Sequence, residues 1–248
     1  MTVPHEQMDE QQIAAYLHMD VRDLKKLASR GQIPCRKVGG AFRFSKGEVD
    51  HWVEAQMHQL GPERLAGIGR GVSNHHGIDH EELLICPLVP PQGLAVPLAA
   101  RTRQSVLREL IEVAERDSLI YNRPELLDEV QKREELCTTA VAPGLAMPHP
   151  RHPLPYDIAE SFVVVGVTST GIAFGAEDGS MTRLFFLICC KDERTHLHVL
   201  ARLALMLHEQ AAIDELIEAP SANALRVLLA AREEAALRHK QSPPGAMR

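Results

Sequence analysis

Residues 137–153 read CTTAVAPGLAMPHPRHP, and this stretch decides how the chain is to be read. It contains four prolines and no helical period, so it cannot continue a helix. Proline fixes φ, so His149, held between Pro148 and Pro150, has little backbone entropy left to lose. Working outward, the upstream segment Thr102–Asp117 places Val106, Leu107, Leu110, Ile111 and Ala114 on one helical face. Asn122-Arg123-Pro124-Glu125 then starts a helix that runs to about Glu135: Asn caps, Pro is tolerated in the first turn, and Glu closes the box. Downstream, Phe162–Val167 and Leu184–Cys190 are unbroken apolar runs, as expected of strands covered on both faces. Thr195–His208 is a helix that turns His196, Val199, Leu200, Leu203 and Leu207 inward, and Ser221–Arg238 is a last helix capped by Ser221. The order helix, helix, strand, strand, helix, helix predicts an α/β fold, a sandwich around a mixed sheet with helices on both faces.

The rest of the chain has a different character. Within Val21–Gly47, eight basic residues meet only Asp23, a net +7. Asp9 caps a short helix through Leu17, and a break at His18-Met19-Asp20 precedes a second helix, Val21–Ser29, which Gly31 ends. Two short alternating runs around Gly39-Gly40 predict a hairpin, and Lys46–Gln56 a third helix packing Val49, Trp52 and Val53. Helix, turn, basic helix and basic hairpin together describe a small winged helix-turn-helix. In such a layout the second helix enters the DNA major groove and hairpin cations touch phosphates. Arg22, Lys25, Lys26, Arg36, Lys37 and Arg43 are the candidate DNA contacts, opposed locally by Asp20 and Asp23. Phe42, Phe44 and Trp52 read as core rather than as stacking groups. The segment LKKLASRGQIPCRKVGGAFRFSKGEVDHWV resembles the excisionase/MerR-type DNA-binding domain, which implies DNA as a partner.

The expected domains are a winged helix-turn-helix over 1–58, a linker over 59–83, a larger domain over 84–235 and a flexible tail over 236–248. The linker expectation rests on four glycines within 59–71 and the absence of a sustained apolar period. The chain of 248 residues carries 27 Lys+Arg and 33 Asp+Glu, a net charge of −6, which argues against a general nucleic-acid coat. Its apolar runs are strand-length, so no membrane insertion is expected. The first residues carry no export pattern, and five cysteines fit no metal spacing, so reduced thiols and a cytoplasmic location are expected. No cofactor is expected. The histidines of Asn74–His80 (His75, His76 and His80) read as linker polar groups, and no metal site is assigned.

Arg133–His149 (REELCTTAVAPGLAMPH) resembles the signature R-E-x-x-x-[ST]-T-x-[IV]-x-x-G-[IL]-A-[IL]-P-H-G of enzyme IIA domains of the fructose/mannitol/nitrogen type, from the phosphoenolpyruvate-dependent sugar phosphotransferase system. The likeness continues through GIAFGAEDGSMTRLFFLICC and THLHVLARLALML, and covers about residues 84–235. It implies that His149 accepts a phosphoryl group from the phosphocarrier HPr or its nitrogen-branch counterpart. It also implies His196 as the second active-site histidine, Arg133 as an active-site arginine and Thr139 as a nearby hydroxyl donor. Where the family has Gly after the histidine this chain has Pro150, which removes one N–H; Arg151 and His152 are the nearby substitutes. Ala140 stands where the family has another glycine. The resulting expectation is a transcription regulator linked to the phosphotransferase system, with phosphohistidine at His149 and a homodimer on palindromic DNA. The alternatives are a carrier passing phosphate to a sugar-specific enzyme IIB, or a binding module that takes no phosphate.

Overall fold

The computed structural model describes residues 6–56, 60–76 and 84–238. The N-terminal part runs β1 (Gln7–Met8), α1 (Glu10–Tyr16), α2 (Val21–Ser29), β2 (Arg36–Val38), β3 (Ala41–Ser45) and α3 (Lys46–Gln56). The starts of the first two helices are written in the sequence. Asp9 accepts from the amides of Gln11 and Gln12 while the Gln12 side chain accepts from the Asp9 amide, a reciprocal cap; Asp20 accepts from the Arg22 amide. Gly39 and Gly40 take φ of 59° and 86°, both left-handed, as a two-residue turn between β2 and β3 requires. The three strands pair in the order β1-β3-β2, so the hairpin is a wing beside the helix pair α1–α2. Val49 and Val53 of α3 are buried, and Trp52, half-buried, donates its indole N–H to the Gln32 carbonyl at 2.7 Å.

Part of the expected linker is a helix. Residues 59–83 contain α4 (Pro62–His76), which buries Leu65, Ile68 and Val72; residues 77–83 and 57–59, with His80, lie outside the described residues. One of the glycines that suggested flexibility serves close approach instead. A Cβ on Gly71 would lie 2.1 Å from the Tyr16 carbonyl oxygen, so only glycine lets α4 cross the end of α1. Arg64 donates to the His18 carbonyl at 3.0 Å across the same contact. The His75 imidazole lies 3.4 Å from a Glu6 carboxylate oxygen, edge-on to the Tyr16 ring.

The larger part runs from a short 3-10 turn (Cys86–Leu88) through β4 (Leu94–Ala95), α5 (Arg103–Glu115), α6 (Arg123–Leu136), β5 (Ala140–Ala142), β6 (Leu145–Ala146), β7 (Phe162–Ile172) and β8 (Thr182–Cys189). It closes with α7 (Glu193–Met206), α8 (Gln210–Ile217) and α9 (Ala222–Arg238). The five strands form one mixed sheet, β4-β7-β8-β6-β5, in which β4 runs parallel to β7 and β6 parallel to β8, while the β7–β8 and β5–β6 pairs are antiparallel. The strand period of two sorts the apolar runs into two cores. Val163, Val165, Leu184, Phe186 and Ile188 face α7, α8 and α9; Phe162, Val164, Phe185 and Leu187 face α5 and α6. Phe185 and Phe186 are fully buried on opposite faces, each contributing roughly 1.5–3 kcal/mol. This is the α/β sandwich expected from the element order. The short strands β4, β5 and β6 and the separate helix α8 carry too few residues to show a period.

The core on the α7 side does not stop at the larger part. It runs without a break through Leu65, Ile68 and Val72 of α4 into Val49, Val53 and Ile13 of the N-terminal part. α4 lies along α7, and α3 also touches α7. Among the described residues no helix is long and apolar enough to cross a membrane.

Candidate active site at the domain boundary

His149 sits in the loop after β6 and His196 in the first turn of α7, and the sheet brings them together. Their ring centroids are 4.9 Å apart, and the residues are 4% and 7% exposed. The His149 ring is aimed by its own loop: its Nδ1–H donates to the Met147 carbonyl at 2.7 Å, which leaves the Nε2 lone pair pointing into the site. Met147 is held in turn, its amide donating to the Thr139 carbonyl at 2.9 Å. The Thr139 amide donates to the Glu134 carboxylate at 3.0 Å, and the Arg103 guanidinium donates to the same carboxylate at 2.6 Å. A brace therefore runs Arg103, Glu134, Thr139, Met147, His149. Buried charges of this kind persist only when paired and hydrogen-bonded.

That brace revises one expectation. The Thr139 hydroxyl donates to Glu134, so Thr139 supports the loop and does not offer its hydroxyl to His149. Glu134, 3% exposed, was not singled out in the sequence, although it stands beside Arg133 in the signature. Arg133 donates to the Cys137 carbonyl at 2.9 Å and lines, with His149 and Thr139, a cavity of about 570 Å³. The amide of His196 is also spent, on the Asp192 carbonyl at 3.1 Å within the helix, and the Asp192 carboxylate caps the Thr195 amide. The site's anion-binding capacity therefore rests on side chains more than on free helix amides. Arg151 is exposed, and it and His152 flank α3 and His196 around a small second cavity; the His152 ring lies 5.7 Å from that of His51.

A second residue that sequence reasoning missed is Glu54. It comes from α3, in the N-terminal part, and its carboxylate enters the histidine pair. One oxygen lies 3.4 Å from Nε2 of His196 and the other 3.8 Å from Nε2 of His149, with the Glu54 side chain only 6% exposed. A helical turn earlier, Asp50 fixes the orientation of α3: it accepts from the Tyr16 hydroxyl at 2.8 Å and from Lys46 at 2.7 Å. Burial pushes the Asp50 carboxyl up against the pull of Lys46. Lys46 also lies 3.8 Å from Glu193 at the start of α7. The spacing of Asp50 and Glu54, one helical turn apart, was the only available signal, and by itself it describes an ordinary acidic helix face.

The charges in the site follow from the geometry. Burial pushes the Glu54 carboxyl up, but both histidines more than offset it and hold it well below the usual carboxylate range. Burial disfavours charge on His196, yet the Cys190 thiol beside it and Glu54 outweigh this and raise it to about 10. For His149 burial prevails over Glu54, and its proton is held less tightly than usual. The resting site is thus carboxylate, imidazolium and a neutral imidazole whose Nε2 is nucleophilic. Neither Nε2 atom completes a hydrogen bond.

The six candidate DNA contacts are all exposed, on α2 and the hairpin, away from this pocket. Arg22 pairs with Asp20 at 3.2 Å, Lys25 with Glu10 at 2.7 Å and Lys26 with Asp23 at 2.9 Å. Arg36 lies 3.8 Å from Glu48, Lys37 lies 6.0 Å from the centre of the Phe42 ring, and Arg43 reaches the Phe42 carbonyl at 3.4 Å.

Comparison with known proteins places these parts. The sequence model described as phosphoenolpyruvate-dependent sugar phosphotransferase system, EIIA 2, matches residues 90–231, and a helix-turn-helix domain model matches residues 8–57. The chain is 29% identical over 148 residues to the nitrogen regulatory protein of Bradyrhizobium diazoefficiens, covering 59% of this chain and 94% of that one. It is 24% identical over 143 residues to the fructose-specific EIIABC component of Bacillus subtilis, covering 57% of this chain but only 22% of that longer relative. In fold it is similar to the nitrogen regulatory protein IIA-Ntr of Neisseria meningitidis, with a TM-score of 0.53 at 22% identity, covering 58% of this chain and 98% of that one. The Escherichia coli mannitol IIA protein gives a TM-score of 0.50 at 22% identity over 56% of this chain and 97% of that one.

Proposed function

The chain belongs to the EIIA 2 family of the phosphoenolpyruvate-dependent sugar phosphotransferase system, with a helix-turn-helix domain in front, and from this we propose that it is a phosphorylation-controlled, DNA-binding regulator. In this reading Nε2 of His149 attacks the phosphorus of a phosphohistidine on HPr or its nitrogen-branch counterpart. The P–N bond to the donor breaks and its imidazole leaves with the electron pair. Such transfer needs positioning and charge compensation more than covalent help. The brace through Met147 positions the ring, and His196 and Arg133 supply positive charge. The observation that carries the reading is a buried histidine whose Nδ1–H is committed to a carbonyl and whose Nε2 is left open.

Glu54 gives the reading its regulatory content. A phosphoryl group brings roughly −1.5 to −2 of charge to the place where a buried carboxylate now sits. The two groups compete for the same imidazolium, so phosphorylation of His149 expels Glu54, and with it the end of α3. Because α3 closes the helix-turn-helix core, its release reaches the DNA-binding face, where Arg22, Lys25, Lys26, Arg36, Lys37 and Arg43 meet phosphates. Incubation with a phosphoenolpyruvate-driven relay, read by intact mass, tests the first step. A gain of about 80 Da that is absent from His149→Ala is the expected result; no gain in the wild-type chain refutes it.

A further inference from the structure

Three donors from three segments converge where the two parts of the chain meet. We propose that Glu54, His149 and His196 form a binding site for a divalent transition metal of the Zn²⁺ class, which latches the helix-turn-helix domain onto the EIIA domain. Their ligand atoms all lie within 4.8 Å of one another. The bond lengths of tetrahedral zinc, about 2.0–2.1 Å, place donor atoms about 3.3 Å apart. Nε2 of His196 lies 3.4 Å from one Glu54 oxygen and Nε2 of His149 lies 3.8 Å from the other, so with one donor atom per side chain the triangle, within 4.8 Å on every edge, must close by up to about 1.5 Å to reach that spacing.

The orientation of the donors points the same way. The His149 Nδ1–H is committed to the Met147 carbonyl, the outer-shell bond that fixes tautomer and aim in histidines that ligate metals. Its Nε2 lone pair therefore faces a carboxylate oxygen, two electron-rich atoms with nothing between them to share. Both Nε2 atoms are more than nine-tenths buried and lack a hydrogen-bond partner. A cation at the centre of the triangle displaces the proton that His196 otherwise carries, releases it to solvent, and then satisfies both nitrogens and the carboxylate at once. Two imidazoles and one carboxylate suit Zn²⁺ and its neighbours; Mg²⁺ and Ca²⁺ demand oxygen ligands. Glu54 and His149 also line the larger cavity, which leaves room for a water or small anion as fourth ligand.

A bound metal occupies the lone pair that phosphorus needs, so metal and phosphoryl group exclude one another; that antagonism rests on the phosphorylation reading, whereas the metal site itself does not. The test uses the full chain, stripped with a chelator and titrated with Zn²⁺ alone by calorimetry, and with Co²⁺ for the visible bands of a tetrahedral site. One equivalent is expected to bind, with Glu54→Gln and His196→Gln each weakening it at least ~10–100-fold. A variant carrying His75→Gln, His76→Gln and His80→Gln is expected to keep the site. Circular dichroism verifies that each variant folds. The absence of stoichiometric binding, its survival in Glu54→Gln, or its loss in the triple variant overturns the proposal. Intact-mass readout of phosphoryl uptake in the same stripped protein is scored separately, so its failure counts against the preceding section and leaves the titration standing.

Discussion

The two sides of the helix-turn-helix domain are built on opposite terms. On one side, α2 and the hairpin hold six cations in solvent, their carboxylate pairs at the surface where each contributes little. On the other, α3 packs on α7 of the EIIA domain and the end of α1 packs on α4, and Glu54 becomes part of a site made mostly of another domain's residues. The difference teaches where function can be altered cheaply. The solvent side tolerates substitution because nothing packs on it. The buried side couples every change to fold and site together.

Substitutions that stress this contrast rank by burial. The largest effect is expected from Gly71→Val. Its Cβ would sit 2.1 Å from the Tyr16 carbonyl oxygen, so α4 must retreat from α1. A loss of about 3 kcal/mol in urea unfolding is expected, at the upper end of overpacking costs; an unchanged midpoint would show that the packing of α4 on α1 is not tight. Next is Glu134→Ala, which removes the carboxylate on which Arg103 and the Thr139 amide depend. It is expected to cost about 2 kcal/mol, the penalty for an orphaned buried donor, and to lower phosphoryl uptake because the His149 loop loses its brace. Full uptake in a folded Glu134→Ala protein would break the brace argument. The smallest effects on stability belong to the solvent side. Arg36→Ala and Lys37→Ala are each expected to stay within about 0.5 kcal/mol of the wild-type fold. Each is also expected to lower the slope of log affinity for DNA against log salt by about 1. A stability loss without a change in that slope would mean that these cations serve the fold.

What the sequence revealed follows the same division. Local signals were legible: the caps at Asp9, Asn122 and Ser221, the Gly39-Gly40 turn, and the apolar runs of β7 and β8. The histidine pair was legible only through the signature around His149, because nothing in a linear pattern reports that the start of α7 meets the loop after β6. Glu54 was not legible at all. It belongs to the site through a contact between domains, and a lone carboxylate on a helix of mixed polarity has no periodicity to mark it. The glycines of α4 misled for a related reason: glycine signals flexibility locally, whereas here Gly71 answers to a neighbouring backbone.

The account turns on Glu54 and the phosphoryl group competing for one pair of imidazoles. The direct test compares the rate and final extent of phosphoryl uptake in wild-type and Glu54→Gln protein, both free of metal. Removing a like charge about 4 Å from the incoming group is expected to raise uptake by at least ~10-fold. Uptake that is equal or slower in Glu54→Gln would contradict the account, since the carboxylate would then be either indifferent to phosphorylation or part of its machinery.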